Sequence, residues 1–402
     1  MSNALYVLLS QDWAGLVIAL AVALVGGASW WWGNRAGGRW RRRSGLGVLV
    51  VAALLAAGAI VHIVRVAGAR ADHPPPGELV DMGGYRIHVL AEGEARGRPT
   101  VVWLPGGHSA GLYVHHLHEG LAREARSVLI DRPGTGWSDV GPFPRSTALE
   151  AEEIVEVLER AGERPPFVLA GHSFGGLLVA NVARRHPELT AAVVLLDPTP
   201  PDTIIYAPHN PVLGSMRAGI LASAVVSLFG IGEAMLAGAG SAETDPEVTQ
   251  ILRLMEERLG SELIASLRAI ESGTRARVAT ASIFAELSPE GMAARGWDTV
   301  VYDGDLGDLP LYLVTPGDMG DAEAFFSTIA EANDAAGEQR FEQRLRRFYE
   351  LTRQRYLAAS SRSERIVTPA GTGHNFPYET PEFVIDVIRR VLDETHQAPA
   401  PP

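Results

Sequence analysis

Residues 167–180 constrain the fold of this chain more than any other stretch. They read Phe-Val-Leu-Ala-Gly-His-Ser-Phe-Gly-Gly-Leu-Leu-Val-Ala, which is a short apolar run, a Gly-x-Ser-x-Gly core and a run of good helix formers. This order predicts a buried strand, a sharp turn with Ser173 at its tip, and a helix. The glycines suit a strained backbone that neighbouring elements approach closely. Such a turn exposes the serine hydroxyl and aims the amide of Phe174 at the place where an oxyanion would form.

Apolar runs and helical periods alternate on both sides of this turn. Continuous apolar runs bounded by glycine, proline or aspartate predict buried strands. Besides the run before Ser173, the predicted strands are residues 78–82, 85–91, 100–104, 127–130, 191–196, 309–315 and 364–368. The alternation predicts an α/β fold, a mostly parallel sheet with helices on both faces. Ligands of such sheets gather beyond the carboxyl ends of the strands, where Gly107, Ser173 and Asp197 fall.

Residues 205–305 interrupt this alternation and read as several helices with little strand character. We predict that they form a helical cap or lid inserted between two parts of the core, residues 73–204 and 306–396. The first part of the insertion, Val212 to Ala239, is unusually apolar. It fits either a helical pair packed on the core, or a lid that lines a hydrophobic cleft and touches the membrane surface.

Residues 1–72 carry two long apolar segments. The first runs from Trp13 to Trp32, twenty positions without a charge, and the second covers about residues 45–64. Each is long enough to be a transmembrane helix, so we predict a two-span membrane anchor. The five arginines of residues 33–44 place the intervening loop in the cytoplasm by the positive-inside rule, and the large domain outside it. The alternatives are a buried hairpin of core helices and a cleaved signal peptide.

Charge and cysteine content exclude several classes of function. The net charge is −12, and residues 1–72 carry seven arginines against two aspartates, so the rest of the chain is strongly acidic. An acidic domain without a basic stripe is a poor nucleic-acid binder. The chain has no cysteine, which excludes disulfides, thiolate nucleophiles and thiolate metal sites. We therefore expect a lipid bilayer and a small molecule, rather than nucleic acid, as partners.

Four motifs carry a resemblance to a known family. They are Leu104-Pro105-Gly106-Gly107, Asp131-Arg132-Pro133-Gly134-Thr135-Gly136-Trp137-Ser138, Gly171-His172-Ser173-Phe174-Gly175 and Gly373-His374. In this order they resemble the oxyanion strand end, the Asp-Arg-x-Gly-x-Gly-x-Ser loop, the nucleophile elbow and the histidine loop of the α/β-hydrolase superfamily. The resemblance covers about four fifths of the chain. It departs from the family at Pro105, which stands where the superfamily usually has histidine.

The resemblance implies an α/β-hydrolase fold and a Ser-His-acid triad without a metal or organic cofactor. Ser173 would attack a carbonyl carbon, and His374 would take its proton and return it to the leaving group. The amides of Gly107 and Phe174 would hold the oxyanion. His172 is expected to point away along the turn, so we interpret it as structural.

The triad acid has two candidate positions. The superfamily usually places it in a Gly-x-x-Asp pattern after the strand at 309–315, but Gly317 is followed three residues later by Gly320, which leaves Asp318 and Asp321 out of step. Asp197 occupies the other position from which some members supply their acid. We favour Asp197 over Asp318, with a turn-forming role ahead of Pro198 as the alternative for Asp197.

Together these features predict a membrane-anchored serine hydrolase of carboxylic esters or related acyl compounds, with an esterase or lipase as the leading class. A serine nucleophile disfavours haloalkane dehalogenase and epoxide hydrolase chemistry, which uses a carboxylate. Aminopeptidase, thioesterase, amidase, acyltransferase and cofactor-free peroxidase activities stay open, and the apolar cap favours an apolar acyl group. The contrasting hypothesis is a non-catalytic member that binds a ligand or serves as a scaffold. No oligomeric state is predicted.

Overall fold

The computed structural model describes residues 2–200, 210–231, 246–294, 301, 303–317 and 335–397. Three helices precede the sheet: α1 (Asn3–Leu9), α2 (Ala14–Arg35) and α3 (Arg39–Asp72). The second and third are long and apolar enough to cross a membrane, and only 22% and 17% of their apolar windows are buried. Core helices of a soluble domain would bury most of such a surface. The two predicted apolar helices are therefore present. Helix α2 extends past the segment at 13–32 at its C-terminal end, and α3 extends past the segment at 45–64 at both ends.

The α/β domain is built on an eight-stranded sheet within the described part of the chain. In chain order the strands are β1 (Glu78–Asp81), β2 (Arg86–Glu92), β3 (Thr100–Leu104), β4 (Ser127–Ile130), β5 (Phe167–His172), β6 (Thr190–Leu196), β7 (Leu311–Thr315) and β8 (Ser363–Val367). Their order across the sheet is β1-β2-β4-β3-β5-β6-β7-β8. The first two pairs are antiparallel and the others parallel. The predicted mostly parallel sheet is confirmed.

Helices cover both faces of this sheet. In chain order they are α4 (His115–Ala122), α5 (Thr147–Arg160), α6 (Phe174–Arg185), α7 (Asn210–Ser227), α8 (Pro246–Leu259), α9 (Ser261–Ile270), α10 (Arg275–Glu286), α11 (Pro289–Ala294), α12 (Ala335–Ala358), α13 (Phe376–Glu379) and α14 (Pro381–Gln397). Helices α7 to α11 lie between β6 and β7 in the chain. The predicted cap, residues 205–305, includes residues outside the described ranges, and its division from the core stays a prediction.

Strand β5 shows how the sheet separates two apolar cores. Successive side chains of a strand point to opposite faces. Phe167 and Leu169 belong to the apolar cluster that includes side chains of α5, α6 and α12. Val168 and Ala170 belong to the cluster that includes side chains of α4, α9 and α14. All of β5 is buried, which explains why its sequence is a continuous apolar run rather than an alternating one.

The end of α7 packs directly on the two long N-terminal helices. A Cβ atom on Gly15 of α2 would lie 2.6 Å from the carbonyl oxygen of Leu228, and one on Gly58 of α3 would lie 2.4 Å from that of Phe229. Both glycines lie within the apolar segments, so the backbone after α7 contacts α2 and α3 inside their apolar parts. The absence of side chains at these two positions is what allows the contact.

Enlarging Gly58 tests this contact. We expect Gly58→Leu to destabilise the protein by about 1–3 kcal/mol, because the added side chain would overlap the backbone at Phe229. Gly47→Leu is the matched control, since Gly47 lies on the same helix and a Cβ there meets nothing within 4 Å. Thermal unfolding in detergent micelles measures both. Equal unfolding temperatures of the two variants would contradict the packing described here.

Candidate active site

The turn between β5 and α6 holds Ser173 in a strained backbone conformation. Ser173 has φ 51° and ψ −120°, a region that non-glycine residues rarely adopt and that costs about 1–3 kcal/mol. Its amide donates to the carbonyl of Leu196 at 3.0 Å, and its carbonyl accepts from the amide of Thr199 at 2.8 Å. These bonds to the end of β6 hold the turn in place. A Cβ on Gly175 would lie 2.2 Å from the carbonyl oxygen of Leu104, which is why the motif needs glycine there.

The loop after β3 passes directly beside Ser173. A Cβ on Gly106 would lie 3.1 Å from the Cβ of Ser173, so the backbone itself lies against the serine. Gly107 follows with φ 57°, a conformation that favours glycine. Phe174 is the first residue of α6. The structure therefore brings the two predicted oxyanion residues, Gly107 and Phe174, to the same edge of the sheet as Ser173.

His374 and Asp197 form a close pair. The Nδ1 atom of His374 lies 2.6 Å from Oδ2 of Asp197, a distance typical of a strong charge-assisted hydrogen bond. Asp197 has φ 41°, and its amide donates to the carbonyl of Val314 at 2.8 Å, which fixes the carboxylate at the end of β6. The side chain of Asp197 is 11% exposed and that of His374 is 34% exposed. Of the candidate acids, Asp318 and Asp321 lie outside the described residues.

His172 contacts the other side of His374. Its Nε2 atom lies 2.9 Å from the carbonyl oxygen of His374, and the two rings lie 4.7 Å apart at 36°. Burial, followed by the charge of His374, lowers the pKa of His172 to about 3. The ring is therefore neutral, with its proton on Nε2 so that it donates to the carbonyl. Sequence reasoning gave His172 a structural role. No feature of the sequence indicated that His172 would contact the loop that carries His374.

A buried charged cluster lies behind the oxyanion loop, and sequence reasoning missed it. Its members are Arg132, Arg145, Glu150 and Glu153, whose side chains are at most 4% exposed. His108, the residue after Gly107, joins the cluster through Nε2, which lies 3.2 Å from Glu150 Oε1. The only signal in the sequence was Arg132 in the Asp-Arg-x-Gly-x-Gly-x-Ser motif. The other members lie 13 to 24 positions from Arg132 in the chain and belong to none of the four motifs.

Glu271 joins the segment between α9 and α10 to the loops around the site. Its Oε2 accepts from the hydroxyl of Tyr113 at 3.1 Å, and its Oε1 accepts from the amide of Gly136 at 3.3 Å. Burial raises the pKa of Glu271 to about 7. A carboxyl group in this state is neutral in mildly acidic solution and charged in mildly basic solution.

Similarity to known proteins covers most of the α/β domain. A family model described as "Alpha/beta hydrolase family" matches residues 101–387. YbdG, an uncharacterized protein of Bacillus subtilis (strain 168), is 29% identical over 123 residues, which make up 30% of this chain and 37% of that protein. The 1-acylglycerol-3-phosphate O-acyltransferase of Arabidopsis thaliana is 33% identical over 115 residues, 27% of each chain. The chain thus spans about a third or less of the length of these relatives.

Solved structures share the fold at low sequence identity. The haloalkane dehalogenase DatA from Agrobacterium tumefaciens C58 has a TM-score of 0.52 and 16% identity, and the match covers 80% of this chain and 98% of that one. At this identity the similarity concerns the fold alone.

The role of Asp197 is open to a direct test. We expect Asp197→Asn to lower the rate of the chemical step by about 10⁴-fold, because an amide neither fixes the tautomer of His374 nor stabilises its protonated form. Asp318→Asn is the control and should keep most of the activity. Rates of labelling by a serine-directed fluorophosphonate probe measure both. A large loss in the Asp318 variant with little in the Asp197 variant would reverse the assignment.

The raised pKa of Glu271 predicts a pH dependence of stability. Between the ordinary pKa of 4.5 and about 7, the folded state binds more protons at Glu271 than the unfolded state does. Its contribution is therefore complete below about pH 4.5 and is lost as the pH rises through about 7. Glu271→Gln should remove this loss, which is on the order of 3 kcal/mol. Across this pH range, the unfolding temperature should change less with pH in Glu271→Gln than in the wild type. Glu262→Gln is an exposed control and should behave like the wild type. Parallel curves for all three proteins would contradict the prediction.

Proposed function

Since the chain belongs to the alpha/beta hydrolase family, we propose that it is a membrane-anchored serine hydrolase that cleaves carboxylic esters or related acyl compounds. The proposal is carried by the 2.6 Å hydrogen bond between Asp197 and His374, beside the strained turn that presents Ser173. This pair orients a histidine at the edge of the sheet where the nucleophile lies. A turn-forming aspartate and a surface histidine would have no reason to meet there.

The proposed reaction passes through an acyl-enzyme. Ser173 attacks the carbonyl carbon while His374 accepts the hydroxyl proton, and Asp197 stabilises the resulting imidazolium. The negative charge on the carbonyl oxygen is held by the amides of Gly107 and Phe174. The bond to the leaving alcohol then breaks, and the alcohol departs with the proton from His374. Water then attacks the carbonyl carbon of the acyl-enzyme while His374 accepts its proton. The bond to Ser173 breaks, His374 returns the proton to the serine oxygen, and the carboxylic acid is released. Every role is filled by a group of the chain.

The nucleophile supports an acyl substrate over the substrates of similarly folded enzymes. The chain shares its fold with a haloalkane dehalogenase, a class that the sequence resemblance associates with a carboxylate nucleophile. Serine at position 173 forms an ester with an acyl group, which water hydrolyses after activation by the same histidine. The nucleophile therefore favours carboxylic acid derivatives.

Acyl transfer is the second candidate, and one observation favours it. A relative that is 33% identical over 115 residues is named 1-acylglycerol-3-phosphate O-acyltransferase. The two reactions share the acyl-enzyme and differ only in whether water or an alcohol attacks it. An apolar acyl group fits both, because Phe174, the residue after Ser173, belongs to an apolar cluster with Ile283 and Leu287.

The membrane anchor rests on the exposed apolar side chains of α2 and α3. Large exposed hydrophobic residues occur along both helices, among them Leu20, Leu24, Val50 and Leu54. In water this surface would favour aggregation, whereas in a bilayer it faces lipid. The five arginines of residues 33–44 lie in the ends of α2 and α3 that meet at the turn between them, and they support a cytoplasmic turn and an extracytoplasmic catalytic domain.

The decisive experiment is covalent labelling of the detergent-solubilised full chain with a fluorophosphonate probe. The probe reacts only with a serine that a neighbouring base activates, so it tests the mechanism before the substrate is known. We expect labelling of the wild type and its loss in both Ser173→Ala and His374→Ala. Addition of long-chain and short-chain esters should then slow labelling by competition, long-chain esters more strongly. A folded wild type that takes up no probe would support the non-catalytic, ligand-binding hypothesis instead.

A further inference from the structure

We propose that Arg132 is a positioning residue that holds the oxyanion loop in its active geometry and supplies positive charge behind it. The proposal rests on the proposed acyl chemistry at Ser173, and it adds a group that none of the sequence motifs assigns to the reaction. The observations are the contacts of the Arg132 side chain, its burial and its incomplete set of partners.

Arg132 touches both residues whose amides would hold the oxyanion. Its Nη2 atom donates a hydrogen bond to the carbonyl oxygen of Gly107. Its guanidinium carbon lies 5.4 Å from the centre of the Phe174 ring, within the range of a cation–π contact. The first contact fixes the peptide that follows Gly107, and the second fixes the side chain that follows Ser173. One buried side chain therefore sets the relative position of the two halves of the oxyanion hole.

The partners of Arg132 leave its charge only partly compensated. Arg145 binds both carboxylates of the cluster, with Nη1 at 3.0 Å from Glu153 and Nη2 at 3.3 Å from Glu150. The same oxygen of Glu150 also contacts His108. The nearest carboxylate contact of Arg132 is Glu150 Oε2 at 3.7 Å, which is an ion pair without a hydrogen bond. Among the described residues, Nε and Nη1 of Arg132 have no hydrogen-bond partner.

This arrangement suits a reaction in which negative charge appears nearby. Charges interact strongly where water is excluded, and the Arg132 side chain is fully buried. When the substrate oxygen becomes negative beside Gly107 and Phe174, its negative charge interacts favourably with the Arg132 guanidinium, which Glu150 compensates only in part. A fixed positive charge stabilises the negatively charged transition state more than the neutral ground state. Folding already holds the charge in position, so the reaction needs no further reorganisation. Lysine would keep the charge but lose the planar group that reaches both contacts.

The test compares Arg132→Lys and Arg132→Gln with Arg145→Gln. Arg145 lies in the same buried cluster, and no contact joins it to Gly107 or Phe174 among the described hydrogen bonds and ring contacts. Saturation kinetics of fluorophosphonate labelling separate the binding constant of the probe from the rate of phosphonylation, a step that also places charge in the oxyanion hole. Thermal unfolding is measured in parallel for each variant.

We expect both Arg132 variants to phosphonylate about 10- to 100-fold more slowly, with the probe binding constant within about twofold of the wild type. Arg145→Gln should lower the unfolding temperature at least as much, with a smaller loss of rate. Arg132 variants that lose no more rate than Arg145→Gln at a matched loss of stability would overturn the proposal.

Phe174→Leu provides a second route if the Arg132 variants do not fold. It keeps the amide of Phe174 and an apolar side chain, but removes the ring that Arg132 faces. We expect a rate about fivefold lower, as the loss of a cation–π contact of about 1 kcal/mol implies, and an unchanged rate would contradict the proposal. Labelling of the wild type distinguishes a failure of the proposed function from a failure of this inference. If the wild type is not labelled, the proposed function fails; if it is labelled, only the role of Arg132 is in question.

Discussion

The close approach of two backbones is the constraint on which the site depends. The turn after β5 lies against the end of β3, so that Gly175 leaves no room for a side chain below the carbonyl of Leu104. This contact brings Ser173 beside Gly106, in the loop after β3. It also requires the strained backbone at Ser173, whose cost is offset by burial of the surrounding sheet. Without the approach, the residues of the site would be present but too far apart to act together.

Local patterns in the sequence predicted the fold and half of the site. The strand, turn and helix around Ser173 are contiguous, so residue type and spacing were sufficient to place them. His374 could be placed because its loop lies between the last strand and the last helix. Asp197 could only be one of two candidates, since the choice depends on which strand end reaches His374. That is a tertiary distance between residues 177 positions apart.

The contacts that the sequence could not reveal share a physical reason. Glu150 looks like an ordinary surface charge in the sequence, and only the packing of α5 against the loop after β3 buries it with Arg132. Sequence reasoning gave His172 a structural role, and its hydrogen bond to the carbonyl of His374 depends on a loop about 200 residues later in the chain. Burial converts such charges from solvated groups into a fixed electrostatic environment. Composition and periodicity do not show which charged side chains become buried together.

The contacts between the N-terminal helices and the α/β domain determine what a cut in the linker between them would do. Val278 of α10 belongs to an apolar cluster with Tyr6 of α1. Further along α10, Ile283 belongs to a second apolar cluster with Phe174. The indole of Trp137 also donates to the carbonyl of His73, in the linker itself. A protease that cut this linker would therefore sever the chain without separating its parts. The α/β domain would stay bound to the N-terminal helices after the cut.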